Sequence, residues 1–60
     1  MKLIQKFGDD AVMVKVYRDS EWNEFVCRLF VDGAEMKSAS YHTDDKQDAI
    51  DTAQAMFRRN

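Results

Sequence analysis

The sequence predicts an α+β fold: a three-stranded antiparallel meander with one C-terminal helix packed on one face. Two segments alternate apolar and polar residues with period two, Asp32-Gly33 is a hairpin signal, and a capped amphipathic segment follows Tyr41. With 45% hydrophobic residues, the chain is too apolar to be disordered, and we expect a single small α+β domain over residues 1–60. Residues 1–8 either add a short extra strand or form an ordered arm.

The first two predicted strands are residues 11–18 and 23–31. Valines at every second position of the first segment are typical of a strand, and turn-forming residues separate the two segments. A four-residue loop at residues 19–22 places Val16 opposite Phe25. The other pairs on that face are then Val14 with Cys27 and Val12 with Leu29.

The third predicted strand follows the Asp32-Gly33 hairpin and runs to about Tyr41. Both central residues of a type I′ turn have positive φ, which glycine adopts at low cost. If these two residues are the whole loop, Val31 lies opposite Ala34. The same register continues with Leu29 opposite Met36, Cys27 opposite Ser38 and Phe25 opposite Ser40.

A helical period replaces the period of two after Tyr41. Thr43 or Asp44 is the predicted cap, and Gln47 lies three residues after Asp44, as in a capping box. The helix extends almost to the C-terminus because apolar residues keep helical spacing along that segment. The apolar stripe that packs on the sheet consists of Ala49, Ile50, Ala53, Met56 and Phe57.

The second face of the predicted sheet has the composition of a protein interface. The helix covers one face only, and the other combines aromatic and aliphatic residues with cations. We expect this face to bind a protein partner through Met13, Lys15, Tyr17, Val26, Arg28, Phe30, Lys37 and Tyr41. The alternatives are a homodimer with the two outer faces apposed, partial cover of the face by the N-terminal residues, and scattered apolar residues that simply remain exposed.

The chain lacks the side chains of the common catalytic and metal sites, so we expect no enzymatic activity and no cofactor. Cys27 is the only cysteine and falls on the helix side of a central strand, which is typical of a core thiol. His42 is the only histidine, so no zinc ligand set exists. Asp44, Asp48 and Asp51 share a predicted helix face, which we interpret as a solvated acidic surface that a basic partner could also recognise.

Charge and hydropathy restrict the location and the class of partner. Nine Lys and Arg residues against eleven Asp and Glu residues give a net charge of −2, which argues against a generic polyanion binder. No apolar run approaches the ~20 residues of a membrane span, and no signal-peptide pattern occurs. A single cysteine fits a reducing compartment, so we expect a cytoplasmic protein without a membrane partner.

The segment SASYHTDDKQDAIDTAQAM, residues 38–56, resembles a pattern in small phage- and prophage-encoded proteins. An aromatic residue ends a strand, Thr-Asp-Asp-Lys follows, and Asp-Ala and Thr-Ala lie in the helix. These residues are Tyr41, Thr43, Asp44, Asp45, Lys46, Asp48, Ala49, Thr52 and Ala53. The resemblance implies non-enzymatic binding to host machinery, for example as an anti-CRISPR-like or anti-restriction inhibitor. We therefore expect a small phage or mobile-element accessory protein that binds a host effector.

The predicted architecture is also similar to the arm-type DNA-binding domain of phage integrases and to the plant ethylene-response DNA-binding domain. That similarity implies a sheet that enters the major groove, with Lys15, Arg28 and Lys37 as the contacts. Glu24 and Glu35 share the same face and weaken its attraction for phosphate. Because of these two carboxylates, nucleic-acid binding is the alternative function and protein binding is the first one that the sequence predicts.

Overall fold

The computed structural model describes residues 1–59 and has the expected two-layer α+β arrangement. One antiparallel sheet contains β1 (Lys2–Gly8), β2 (Val12–Asp19), β3 (Glu24–Val31), β4 (Ala34–Glu35) and β5 (Tyr41–Thr43). A 3₁₀ turn at Lys37–Ala39 separates β4 from β5, and the helix α1 (Lys46–Arg59) packs against β2, β3 and β5. The first residues of the chain therefore add an edge strand, which is one of the two arrangements that the sequence allowed.

The central strand of the sheet is β3. It pairs with β2 along its whole length on one side, while β4 and β5 pair with its two ends on the other side. β1 pairs with the far side of β2, and its other edge is not paired by any of residues 1–59. The order of the sheet is thus β1, β2 and β3, followed by β4 and β5, which lie one after the other along the second edge.

The loop between β2 and β3 lies one residue later than predicted at each end. It comprises residues 20–23, so Val16 lies opposite Cys27 instead of Phe25. The same shift pairs Val14 with Leu29 and Val12 with Val31. The Asp19 side chain sets this loop because it accepts hydrogen bonds from two backbone amides of the loop, at 3.1 and 3.4 Å. A register shift of two residues leaves every side chain on its predicted face.

The hairpin between β3 and β4 begins as predicted and then departs from the prediction. Asp32 and Gly33 have φ values of 51° and 84°, as a type I′ turn requires, and Val31 pairs with Ala34. The backbone amide of Met36 still donates to the carbonyl oxygen of Leu29, at 2.8 Å. Regular pairing stops there, because the chain turns into the 3₁₀ segment instead of continuing the strand.

Beyond the 3₁₀ turn, the register of the third predicted strand is wrong by three residues. Cys27 lies opposite Tyr41 rather than Ser38, and Phe25 lies opposite Thr43 rather than Ser40. Because side chains alternate with period two, a shift of three moves each residue after the turn to the opposite face. Tyr41 therefore lies on the helix side of the sheet, not on the outer face where the sequence placed it.

The hydrophobic core lies between the sheet and α1. Its buried residues are Val14, Val16, Cys27, Leu29, Ala49 and Ala53. Ala49 and Ala53 have small side chains where α1 meets the sheet, so the helix backbone lies close to β3. The Cys27 thiol therefore donates a hydrogen bond to the carbonyl oxygen of Ala49, at 3.1 Å. From β1, Ile4 and Phe7 pack against the rim of the same cluster. The edge strand thus contributes to the core through two side chains.

The N-cap of α1 is Asp45 rather than Thr43 or Asp44. Its Oδ1 accepts hydrogen bonds from the backbone amides of Gln47 and Asp48, at 2.9 and 3.3 Å. The Thr43 hydroxyl oxygen in turn accepts a hydrogen bond from the Asp45 amide, at 3.2 Å. Two linked side-chain caps therefore fix the start of the helix.

In the described part of the chain, no helix is both long and apolar enough to cross a membrane.

The buried thiol of Cys27 predicts a loss of stability in alkaline solution. Burial raises the pKa of Cys27 from 9.0 to about 11, with a smaller contribution from the Asp48 carboxylate. Above pH 9.0 the unfolded chain loses this proton while the folded protein keeps it, so deprotonation favours unfolding until the pH passes about 11. We predict that the free energy of unfolding falls by about 2 kcal/mol more in the wild type than in Cys27→Ala across this range.

Urea unfolding followed by circular dichroism at several pH values measures this difference. The Cys27→Ala variant controls for the other groups that titrate in alkaline solution, since only the slope with pH is compared. Parallel slopes for the two proteins would contradict the prediction.

Candidate binding face

The sheet face opposite α1, which we call the outer face, is not covered by any element formed by residues 1–59. The register of the strands identifies the side chains that it carries. They are Leu3 and Lys6 on β1, Met13, Lys15 and Tyr17 on β2, Glu24, Val26, Arg28 and Phe30 on β3, Glu35 on β4 and His42 on β5.

Most of the residues predicted to bind a partner share this face. Those that do are Met13, Lys15, Tyr17, Val26, Arg28 and Phe30. Lys37 lies in the 3₁₀ turn beyond β4, outside the paired strands. On the helix side, the Tyr41 hydroxyl donates a hydrogen bond to Oδ2 of Asp48, at 2.6 Å. The two misplaced residues both follow β4, where the chain leaves the predicted strand.

Two cation–aromatic contacts organise the centre of the outer face. The Lys15 ammonium lies 4.9 Å from the centroid of the Phe30 ring, and the Arg28 guanidinium carbon lies 5.6 Å from that of Tyr17. Lys15 on β2 and Arg28 on β3 are directly opposite each other. Each side chain reaches diagonally to an aromatic ring on the other strand, so the two cationic groups point towards opposite ends of the sheet. The contacts hold four long side chains in defined positions on the free face.

The outer face is less exposed than its composition suggests. Val26 is only 1% exposed although residues 1–59 form no layer over it. It lies opposite Tyr17 on one side and His42 on the other, so neighbouring side chains cover it. The His42 Nδ1 lies 2.9 Å from a carboxylate oxygen of Glu24. Among the apolar residues of this face, only Leu3, at 44%, belongs to the well-exposed class.

A row of three cations crosses the outer face. Lys6 on β1 lies opposite Lys15 on β2, which lies opposite Arg28 on β3. We call these three residues the cationic row. Sequence reasoning missed Lys6 because it left residues 1–8 unplaced. The turn that follows β1 could have indicated its position. A hairpin that pairs Gly8 with Met13 also places Lys6 opposite Lys15.

A shallow depression of about 410 Å³ lies at one end of the outer face. Its lining consists of Asp9, Asp10, Met13, Lys15, Phe30, Asp32 and Gly33. The Asp9 carboxylate accepts hydrogen bonds from the backbone amides of Ala11 and Val12, at 3.0 and 3.3 Å, so it supports the turn between β1 and β2. The depression therefore marks an acidic end of the outer face.

The three aspartates predicted on one helix face do not form a joint site. Asp44 precedes α1, Asp48 accepts the hydrogen bond from Tyr41, and Asp51 accepts one from the Gln47 side chain at 3.0 Å. The bond to the Asp48 carboxylate raises the pKa of the Tyr41 hydroxyl. Within residues 1–59, no group of three or more His, Cys, Asp or Glu side chains is placed to hold a metal ion.

Trp22 is an exposed aromatic residue to which sequence reasoning gave no functional role. It is 75% exposed and lies in the loop between β2 and β3. Arg18 donates a side-chain hydrogen bond to the Asn23 side chain at 2.9 Å, and Asn23 adopts a positive φ of 52°. The loop is thus held by its own side chains while the indole remains exposed at the end of the sheet.

Comparison with known proteins adds no family to this description. The chain matches no protein family, no curated protein and no solved structure. The proposal that this face binds a partner therefore starts from its geometry.

The cationic row predicts that charge reversal at its edge stabilises the fold. Lys6→Glu places a carboxylate opposite Lys15, so we predict that the free energy of unfolding rises by about 0.5 kcal/mol at low salt. Screening should abolish the gain in about 1 M NaCl. Lys37→Glu is the matched control, because Lys37 lies outside the row and its reversal should change stability little. Equal effects of the two reversals in urea unfolding would show that the row has no mutual repulsion.

Proposed function

We propose that this protein is a non-enzymatic module that binds another protein through its outer face. The observation that carries the proposal is the pair of diagonal cation–aromatic contacts, Lys15 with Phe30 and Arg28 with Tyr17, on a face that α1 leaves free. Tyrosine, phenylalanine, methionine and arginine are enriched in protein interfaces. Because these contacts order the side chains before binding, association loses less side-chain entropy.

The shape of the outer face supports a macromolecular partner. A sheet face is broad, and the depression at its end is shallow, with acidic residues along its rim. Sites for small molecules are usually concave and enclose most of the ligand surface. A protein surface can instead contact several rows of this sheet at once, with Tyr17 and Phe30 as the central aromatic residues.

The partner that we propose is a host effector, and the role is that of a small phage or mobile-element accessory or inhibitor protein. Support comes from the resemblance of residues 38–56 to small phage- and prophage-encoded proteins. The fold adds a physical argument, because a sheet with one helix on one face has a second face that a partner can cover.

A homodimer through the same face is the competing arrangement. A twofold axis brings the same patch of both copies together. Lys15 and Arg28 lie near the centre of the outer face and Lys6 lies beside them on the edge strand, so two apposed faces bring two sets of cations close to each other. This repulsion favours a different protein as the partner.

Photo-crosslinking in lysate of the source cell tests the proposal. One variant carries a photo-crosslinking amino acid at position 17 on the outer face, and the control variant carries it at Gln54 on the exposed side of α1. We predict that a protein crosslinks to position 17 and not to position 54. With that protein purified, Phe30→Ala should weaken binding by about 1–3 kcal/mol. Phe57→Ala is the matched control, because Phe57, which the sequence placed in the packed stripe of α1, is 39% exposed and should not affect affinity.

Circular dichroism of both alanine variants checks that the fold is retained. Loss of binding in Phe57→Ala with normal binding in Phe30→Ala would move the interface to the helix side. If the crosslinked protein is a second copy of the chain, and sedimentation shows a dimer, the homodimer replaces the proposal.

A further inference from the structure

The cationic row carries positive charge that the sheet neutralises only in part. Like charges directly opposite each other on neighbouring strands destabilise a sheet. Arg28 makes a loose ion pair with Glu35, at 3.7 Å between Nη1 and Oε1, whereas neither Lys6 nor Lys15 forms an ion pair within residues 1–59. Strands in a sheet lie about 4.8 Å apart, so three strands spread the row over about 10 Å. An anion bound along the row would relieve this repulsion.

The two inner cations of the row are already held in place. The Lys15 ammonium lies over the Phe30 ring, and the Arg28 guanidinium lies over the Tyr17 ring. The side chain of Arg28 remains 33% exposed, so it can still donate hydrogen bonds to a ligand. Lys6 is exposed at the edge of the sheet. The row therefore combines two ordered cations with one that is free to adjust.

Carboxylates border the cationic row on three sides. Asp9, Asp10 and Asp32 line the depression at one end of the face, and Glu24 lies towards the other end. On the side of β4, Glu35 lies next to Arg28. The fourth side is the free edge of β1, a strand that contains two lysines and no acidic residue. An anionic group can reach the row over this edge without passing a carboxylate.

We propose that the cationic row binds a short acidic segment of the protein partner, which enters over the free edge of β1. This inference rests on the proposed function and adds the chemistry of the partner. Carboxylates at alternate positions of an extended segment lie on one side of the chain, about 7 Å apart. The ordered ammonium of Lys15 and the fork of Arg28 can each meet one of them, and the flexible side chain of Lys6 can adjust to a third.

An acidic protein segment fits the row better than a nucleic acid does. The cationic zone is about 10 Å across and is bordered by acidic residues, whereas a nucleic-acid backbone continues with one phosphate at every nucleotide. The chain as a whole carries a net charge of −2, which repels a long polyanion at a distance. The row can therefore neutralise one short anionic stretch of a partner.

NMR titration of the full chain tests the proposal with two capped pentapeptides, Glu-Thr-Glu-Thr-Glu and its matched control Gln-Thr-Gln-Thr-Gln. We predict that the acidic peptide shifts the amide signals of Lys6, Lys15 and Arg28 and binds at least about fivefold more tightly than the control. Lys6→Gln and Lys15→Gln should each weaken binding about threefold or more, and Lys6→Arg should restore it. Lys37→Gln should bind as the wild type does.

Equal binding of both peptides, or signal changes confined to residues outside the row, would overturn the proposal. Tighter binding of a single-stranded oligonucleotide of about ten nucleotides, with affinity that falls steeply as salt is added, would replace it with nucleic-acid recognition. Failure of the inference is distinguishable from failure of the proposed function. A partner that crosslinks to position 17 but binds Lys6→Gln and Lys15→Gln normally would reject the acidic segment and leave the binding face in place.

Discussion

The alternation of side chains along β3 constrains both the core and the candidate binding face. Cys27 and Leu29 point towards α1 and are buried, whereas Arg28 and Phe30 point outwards and contact the side chains of β2. One strand therefore determines the position of the helix and the arrangement of the free face. A one-residue slip of β3 would exchange the two sets and destroy both. The eight pairs with β2 define this register, and the Cys27 thiol contacts α1 at the middle of the strand.

Local patterns predicted most of the fold, and the errors have a simple geometric origin. The loop between β2 and β3 was misplaced by an even shift, so Lys15 and Tyr17 kept their predicted face. The 3₁₀ turn at Lys37–Ala39 introduced an odd shift, which moved Tyr41 to the helix side. That turn contains neither glycine nor proline, so its local signal is limited to Ser38 and Ser40, which are weaker turn formers. Tertiary contacts account for the position of the turn, because Ala39 packs against the core and the Tyr41 hydroxyl donates a hydrogen bond to Asp48.

Two properties of the candidate site could not be predicted from composition. Lys6 joins the cationic row only through the pairing of β1 with β2, and a register irregularity between Leu3 and Gln5 interrupts the period of two in that strand. Composition also suggested an uncovered apolar surface, but Val26 is almost fully buried by its neighbours. Pairing decides both properties, because it determines which side chains lie beside each other across strands.

The binding role of the outer face is tested most directly by hydroxyl-radical footprinting of the purified protein with and without its captured partner. Met13 and Tyr17 report on the outer face, while Met36 and Phe57 are exposed side chains away from it. Protection of Met13 and Tyr17 in the complex, with unchanged oxidation of Met36 and Phe57, is the predicted result. Protection of Met36 and Phe57, with Met13 and Tyr17 oxidised as in the free protein, would contradict it.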